Sequence, residues 1–199
     1  MKRSVLTFTF ILFSIIAISQ DSDYSYAKSY EIVPPATITI SSESRNIDVI
    51  ANEGNTIQVF YSIRKDGGLL KLNKEQIKKG IDNLWNTTIV YTKSTLKMVV
   101  TEKKAVAGVN KNPEENIAID LKILAPEQTS TRLDSSDGDI LIKGLVLDQT
   151  CKANDGDITL IDLKGKVTAI ALDGDIFLEN VTGEVNSRTP DGRVINLSN

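Results

Sequence analysis

Short runs of alternating hydrophobic and polar residues, separated by turn residues, fill the second half of the chain. Alternation with a period of two predicts half-buried β-strands. The runs are organised by a repeat, because Asp-Gly-Asp or Asp-Gly-Arg recurs four times at a constant interval of 18 residues. Each unit holds two short strands, and its fourth position is aliphatic: Ile140, Ile158, Ile176 and Val194. A repeat of constant length indicates stacked units, so we expect a β-solenoid, or β-helix-like stack, with 18-residue coils.

Glycines mark the two turns that each coil requires. Glycine adopts the positive φ of tight turns without a steric cost. The predicted turn glycines are Gly138, Gly156, Gly174 and Gly192 in the first turn, and Gly165 and Gly183 in the second. Equivalent residues of successive coils should stack ~4.8 Å apart. The lone Cys151 then shares a column with Ala169 and Ser187, which predicts a packed small side chain rather than a functional thiol.

The region before the repeats is less regular. Alternating runs predict strands at 36–40, 46–50, 56–63, 87–93, 95–102 and 116–124. The first three runs indicate either antiparallel strands or early, irregular coils. One segment, at about 73–85, is predicted to be a helix. Asn73 with Gln76 is typical of a helix start, and Ile77 and Ile81 recur at helical spacing. We expect this helix to lie against the sheet as a cap. The predicted class is therefore all-β, with a mixed β region at 36–133 and solenoid repeats at 134–199 in one continuous domain.

The N-terminus has the pattern of a secretory signal peptide. Lys2 and Arg3 precede an apolar run from Val5 to about Ile18, and Ala17 and Ser19 fit the small-residue rule for cleavage before Gln20. A retained membrane anchor is the alternative, but the run is short for a span of ~20 residues. We therefore assign 1–19 to a signal peptide and 20–35 to a linker. The mature protein is expected in the periplasm, at the cell surface or secreted, without a transmembrane span.

The repeat motifs carry a resemblance to a known family. Each has two residues that, apart from Leu172, are small or polar, then Gly-Asp-Ile, with a Gly-x-Val half-turn; the examples are 136–140, 154–158 and 172–176, with half-turns at 165–167 and 183–185. With the strand before them, they resemble the bacterial putative-adhesin family, the adhesin-like or toastrack-type domains of unknown function. The resemblance spans roughly 30–199 and implies a β-helix-like stack in an exported or envelope protein, with no catalytic residues. The position before the glycine, often Ser or Asn in such repeats, is Asp in all four units here.

Composition excludes several kinds of chemistry. The chain has no histidine and one cysteine, so it lacks the usual general base, the commonest transition-metal ligand and an internal disulfide framework. Residues 134–199 hold 12 Asp and Glu against six Lys and Arg, a net charge of −6. An acidic surface repels phosphate, and we therefore expect no nucleic-acid binding.

The aspartates of the first turns are candidate calcium ligands. Stacking would place like charges in register, which is unfavourable, and a cation between coils would relieve the repulsion. The candidates are Asp137, Asp139, Asp155, Asp157, Asp173 and Asp175. The favoured alternative is that these side chains accept hydrogen bonds from nearby backbone N–H groups and shape the turn. We therefore assign no metal or other cofactor to a defined site. Calcium binding at these aspartates remains an open alternative.

Three apolar positions are predicted to point outward in one line: Leu141, Phe177 and Ile195. They indicate either a partner or self-association surface or a face covered by another layer of the chain, such as the 73–85 helix. The predicted function is a non-enzymatic, adhesin-like binding or scaffold protein of the bacterial cell envelope, whose partner is an envelope protein, a glycan or a second copy. The alternatives are a carbohydrate-active β-helix enzyme that uses the repeat carboxylates and a calcium-stabilised structural module.

Overall fold

The computed structural model describes residues 25–43, 46–103 and 117–197. These ranges form 16 strands and one helix. In chain order they are β1 Tyr26–Glu31, β2 Ala36–Ser42, β3 Ile47–Asn52, β4 Thr56–Lys65, β5 Gly68–Leu69, α1 Lys74–Leu84, β6 Trp85–Tyr91, β7 Thr95–Glu102, β8 Ile117–Pro126, β9 Thr129–Asp137, β10 Ile140–Lys143, β11 Gln149–Asp155, β12 Ile158–Ile161, β13 Val167–Asp173, β14 Ile176–Glu179, β15 Val185–Arg188 and β16 Val194–Asn196. The all-β prediction is confirmed, and every predicted strand run before the repeats coincides with a strand.

The strands form two sheets that share one hydrophobic core. Sheet A has the order β1-β4-β8-β3-β10-β12-β14-β16, with β5 also paired to β4. Sheet B has the order β15-β13-β11-β9-β2-β7-β6. Both sheets are mixed, because β1, β4, β5 and β8 pair antiparallel in sheet A and β6 pairs antiparallel with β7 in sheet B. The chain as a whole is therefore not a regular stack of coils.

The repeats themselves follow the 18-residue register. Strands from β9 onward alternate between sheets B and A, and each pairs in parallel with the strand one repeat later. The predicted aliphatic column is confirmed, since Ile140 pairs with Ile158, Ile158 with Ile176 and Ile176 with Val194. The small-residue column of Cys151, Ala169 and Ser187 is also confirmed. Alternation buries the odd positions of β10, β12 and β14 and the first odd positions of β9, β11 and β13. The last repeat is different, because Val185 in β15 and Val194 in β16 are exposed.

Two early strands join the same sheets as the repeats. β3 lies between β8 and β10, and β2 lies between β7 and β9, in both cases with parallel neighbours. β9 also runs across the predicted boundary between 133 and 134. The sheets are thus continuous from the early strands into the repeats. β1 falls within the segment that the sequence assigned to a linker, and the predicted signal peptide at 1–19 lies outside the described residues.

Helix α1 confirms the predicted helix to within one residue at each end. Its capping box is formed by Asn73 and Gln76: the Gln76 N–H donates to Asn73 Oδ1 at 2.9 Å, and the Asn73 N–H donates to Gln76 Oε1 at 3.0 Å. Ile77 and Ile81 are buried against β1, β4 and β6. Because these strands lie at one end of the two sheets, α1 covers that end, as predicted for a cap. Within the described ranges, α1 is too short and too polar to span a bilayer.

Candidate functional site

The predicted interaction residues lie in one row on the outer face of sheet A. Leu141 pairs with Thr159, Thr159 with Phe177 and Phe177 with Ile195, and all four are partly buried. Helix α1 does not cover this row, since it packs against β1, β4 and β6 at the other end of the molecule. Coverage by the 73–85 helix, one of the two alternatives left open, is therefore wrong.

A second row on the same face adds apolar residues that the sequence reasoning missed. Two positions further along each strand, Leu124 pairs with Ile50, Ile50 with Lys143 and Lys143 with Ile161. These side chains are also outward-facing and, apart from the exposed Lys143, partly buried. The signal was present in the sequence, because Ile161 follows the outward Thr159 by two residues. We call the outward apolar residues of both rows the outer apolar face: Ile50, Leu124, Leu141, Ile161, Phe177 and Ile195.

A hydrogen-bonded row of aspartates borders this face at the first turns. The Asp157 N–H donates to Asp139 Oδ1 at 2.9 Å, the Asp175 N–H to Asp157 Oδ1 at 2.7 Å, and the Arg193 N–H to Asp175 Oδ1 at 2.8 Å. Each carboxylate thus accepts the amide of the next coil. Backbone N–H groups favour the charged carboxylate, so this ladder offsets the repulsion between stacked charges.

The two ends of the ladder carry residues that reduce its charge. At the start, the Asp139 N–H donates to the neutral Asn46 Oδ1 at 3.3 Å. At the end, Arg193 Nη2 donates to Asp175 Oδ2 at 2.7 Å, and this guanidinium holds the pKa of Asp175 below its usual range. Asn46 was missed because the sequence before it lacks the Asp-Gly-Asp signature. The residues that follow it still match the repeat, since Asn46-Ile47 takes the place of Asp139-Ile140 in the pairing.

The calcium hypothesis gains no geometric support from the described residues. No group of three or more Asp, Glu, Cys or His side chains there is arranged to hold a metal ion. Calcium requires six to eight oxygen ligands, and one oxygen of Asp139, Asp157 and Asp175 already accepts an amide. The candidates Asp137, Asp155 and Asp173 form the neighbouring column in the same register. Calcium binding stays a prediction that a melting curve with and without calcium tests.

The glycine turns have the predicted geometry at five of six positions. Positive φ is found at Gly138, Gly156, Gly174, Gly165 and Gly183. Gly192 is the exception, because its φ is not in the positive range. Glycine is required at position 192 for a different reason, because a Cβ there would lie 2.6 Å from the backbone carbon of Gly174. Stacked coils approach each other closely at this corner, and no side chain fits between them.

An open cleft of ≈ 400 Å³ separates the first two turns from the β4–β5 hairpin, and Asn46, Arg64 and Gly67 line it beside the Asp-Gly-Asp corners. Arg64 forms an ion pair with Asp120 and donates to the Gly67 carbonyl at 3.0 Å. Burial raises the pKa of the adjacent Asp48, and Asp120 and Asp139 raise it further, while Lys122 and Arg64 oppose the shift. The cleft therefore contains a charge network in which the arginine is already engaged. This arrangement gives little support to a carboxylate-based hydrolase.

Buried Cys151 has no nucleophilic role in this arrangement. Burial raises the pKa of its thiol to about 12, and the thiol contacts the Thr168 carbonyl oxygen at 3.8 Å. A thiol with so high a pKa is protonated at neutral pH and inert. The packed-residue interpretation is confirmed.

The fold has relatives among solved structures. The chain is similar to a putative cell adhesion protein from Clostridium sporogenes ATCC 15579, with a TM-score of 0.54 and 11% sequence identity over 88% of this chain and 100% of that one. It is also similar to a putative adhesin from Bacteroides fragilis NCTC 9343, with a TM-score of 0.35 and 11% identity over 88% and 98% of the two chains. No protein-family model and no curated protein matches the sequence. The resemblance to putative adhesins is thus confirmed at the level of the fold.

Proposed function

We propose that the protein is an exported, non-enzymatic, adhesin-like binding or scaffold module of the cell envelope, and that a partner protein docks on its outer apolar face. The observation that carries this proposal is the pair of adjacent outward rows in sheet A, which place six large apolar side chains, interrupted by Thr159 and Lys143, on one face of the sheet. The fold shared with a protein named for cell adhesion supports the same class. The 18-residue register of the repeats supports a β-solenoid segment, and solenoids present extended surfaces for recognition.

The opposite surface of the molecule provides a contrast. The corresponding outward row of sheet B runs through Thr39, Arg132, Thr150, Thr168 and Asn186, all of them polar. A fold that needed only solubility would place polar residues on both outer faces. Apolar residues concentrated on one outer face favour an interaction site there, and sheet A is therefore the side on which we place the partner.

The charges around the outer apolar face define the chemistry of the partner. The ladder of Asp139, Asp157 and Asp175 runs along one side of the apolar rows, and Glu179 ends the second row, inside which Lys143 is the opposing charge. The repeats as a whole carry a net charge of −6. Charge complementarity then favours a protein surface with apolar side chains rimmed by Lys and Arg. A polyanionic glycan would be repelled from the same face.

Site-specific photo-crosslinking tests this function. The mature protein, with p-benzoylphenylalanine in place of Phe177, is irradiated with envelope fractions of the cells that produce it. A matched protein carries the same group at Thr168, on the outer face of sheet B. We expect one discrete adduct from position 177 with a protein that mass spectrometry identifies and that crosslinks again when purified. The adduct should be absent from position 168 and lost when Leu141 is replaced by Asp.

Equal crosslinking from both positions, or no adduct from either, would contradict the docking surface. An adduct made only with a second copy of the chain would replace the partner protein by self-association and would refute the proposal as stated. Hydrolysis or elimination of envelope polysaccharides by the purified protein would instead favour the enzyme alternative.

A further inference from the structure

A second cavity lies at the opposite end of the molecule, under α1. It has a volume of ≈ 110 Å³ and opens between the edge strands β1 and β6. Its walls come from β1, β4, α1 and β6, and the lining residues are Tyr26, Lys28, Tyr61, Lys78, Ile81, Asp82, Trp85 and Thr87. None of these residues belongs to the outer apolar face. The function of this cavity is therefore a separate question from that of the partner surface.

Aromatic rings form much of the cavity wall. The rings of Tyr26 and Tyr61 have centroids 5.9 Å apart and are inclined by 34°. Trp85 is almost fully buried on the facing strand. Tyr26 is partly exposed, whereas Tyr61 and Trp85 are only 1% and 3% exposed. The Tyr26 ring therefore offers most of the aromatic surface that a small ligand can contact.

The cavity also contains hydroxyl groups that lack good partners. The Thr87 hydroxyl is buried and has no hydrogen-bond partner among the residues that the structure describes. The buried Tyr61 hydroxyl donates to the Met98 sulfur at 3.5 Å, and a thioether is a weak acceptor. Unpaired buried polar groups cost stability, and a ligand that carries its own hydroxyl groups can supply the missing hydrogen bonds.

The charges at this end are mainly positive, in contrast to the acidic repeats. Lys28 and Lys78 line the cavity, and the Lys28 Nζ lies 5.8 Å from the centroid of the Tyr26 ring. Lys103 reaches the same place, since its Nζ donates to the Asp82 carbonyl oxygen. The single carboxylate of the lining is that of Asp82. The lysines therefore favour an anionic ligand, and the Asp82 carboxylate can accept hydrogen bonds from hydroxyl groups of that ligand.

From these groups we infer that the cavity binds the terminal residue of an acidic saccharide, that is, a sugar ring with a carboxylate. The aromatic walls contact the C–H faces of the ring, Lys28 and Lys78 pair with its carboxylate, and Asp82 and Thr87 bind its hydroxyl groups. An aromatic acid would satisfy the lysines and the rings but would have nothing to donate to Asp82. The volume is well below the 300–1,000 Å³ of drug-sized sites, so the cavity accommodates one terminal ring rather than an internal segment.

The chain carries its own probe of this site, because Trp85 is its only tryptophan. Tryptophan emission of the mature protein is titrated with the methyl glycosides of glucuronic acid, galacturonic acid and sialic acid, and with methyl glucoside and methyl galactoside as neutral counterparts. Benzoate serves as the aromatic acid. We expect a saturable change in emission with at least one acidic sugar, with a dissociation constant of roughly 1 mM for a ligand of this size, and none with the neutral sugars.

Three lysine variants assign the binding to the cavity. Lys28→Gln and Lys78→Gln should each weaken it about threefold, because exposed charge pairs contribute modestly and are screened by salt. Lys79→Gln is the matched control, since Lys79 is exposed on the same helix but does not line the cavity. It should leave the affinity unchanged, as should Phe177→Ser on the outer apolar face.

Four results would overturn the inference. They are the absence of saturable binding for every acidic sugar, equal binding of the neutral counterparts, binding of benzoate without that of acidic sugars, and equal loss of affinity in Lys28→Gln and Lys79→Gln. The three lysine variants change exposed side chains, so unfolding does not confuse the outcome. Failure here leaves the crosslinking test of the partner surface unaffected.

Discussion

Replacing Gly156 by alanine should destabilise the protein far more than a methyl group on the surface usually does. Gly156 has a φ of +141°, and a Cβ at this position would lie 2.5 Å from the backbone carbon and 2.6 Å from the carbonyl oxygen of Gly138 in the preceding coil. The positive φ costs an L-residue about 1–2 kcal/mol. The overlap adds about 1–3 kcal/mol, because it can be relieved only by moving the backbones of two stacked coils. We expect a total loss of about 2–5 kcal/mol in the free energy of unfolding.

Two other glycines separate these two contributions. Gly54 has a φ of +99°, and a Cβ there would have no other atom within 4 Å, so Gly54→Ala measures the backbone strain alone, about 1–2 kcal/mol. Gly192 lacks a positive φ but would place its Cβ 2.6 Å from the Gly174 backbone carbon and 2.9 Å from Thr189 Oγ1. Gly192→Ala therefore measures the overlap alone, about 1–3 kcal/mol, at the last described coil.

Urea unfolding followed by far-ultraviolet circular dichroism gives the three free energies. The close stacking of coils predicts that the loss in Gly156→Ala exceeds that in Gly54→Ala by at least about 1 kcal/mol. If Gly156→Ala and Gly54→Ala lose the same free energy, the coils do not approach each other at the first turn as described.

Three further predictions follow from the ladder, the cleft and the core. Asp157→Ala removes the acceptor of the Asp175 N–H, 2.7 Å away, and should lower the free energy of unfolding in urea by about 1 kcal/mol. Asp155→Ala, at an exposed position of the same turn, is the control. An equal loss in both variants would contradict the ladder. Asp48→Asn should raise the melting temperature at pH 7 by a few degrees, because folding raises the pKa of this carboxyl and its ionisation therefore destabilises the folded state. The gain should disappear below about pH 3, where the carboxyl is protonated in both the folded and the unfolded state. A gain that persists at about pH 3 would refute this cause. Cys151 should resist iodoacetamide in the native protein at pH 8 and react in 8 M urea, because burial raises the pKa of its thiol to about 12. Mass spectrometry measures the extent of alkylation, and rapid alkylation of the native protein would show that the core opens.

The features that could be predicted from the sequence are those that depend on local spacing. The interval of 18 residues determines the pairing of Ile140 with Ile158 and of Ile158 with Ile176, since parallel neighbours in a stack take the same position of each repeat. The helix was predictable because its capping residue and its apolar spacing both lie within one short segment. The outward position of Phe177 follows from strand alternation in the same way.

The features that escaped prediction depend on contacts between distant segments. Asn46 and Asp139 are 93 residues apart, and without the Asp-Gly-Asp signature the local sequence did not decide whether β3 joins the repeats or forms an antiparallel pair. β1 was missed because most of its residues are exposed at a sheet edge and the alternation is weak. The cavity under α1 is built from four elements and combines Lys28 of β1 with Trp85 of β6. Such combinations arise only when the sheets are assembled.

The binding affinity of the purified protein for its crosslinked partner tests the central claim most directly. Phe177→Ser removes the aromatic side chain of the outer apolar face, which lies between Thr159 and Ile195 in the first row, and truncation of a hot-spot anchor weakens a complex by about tenfold or more. We therefore predict that Phe177→Ser raises the dissociation constant at least about tenfold, while Thr168→Ser on the outer face of sheet B changes it by less than about twofold. Equal affinities of the two variants would show that the partner does not bind on the outer apolar face.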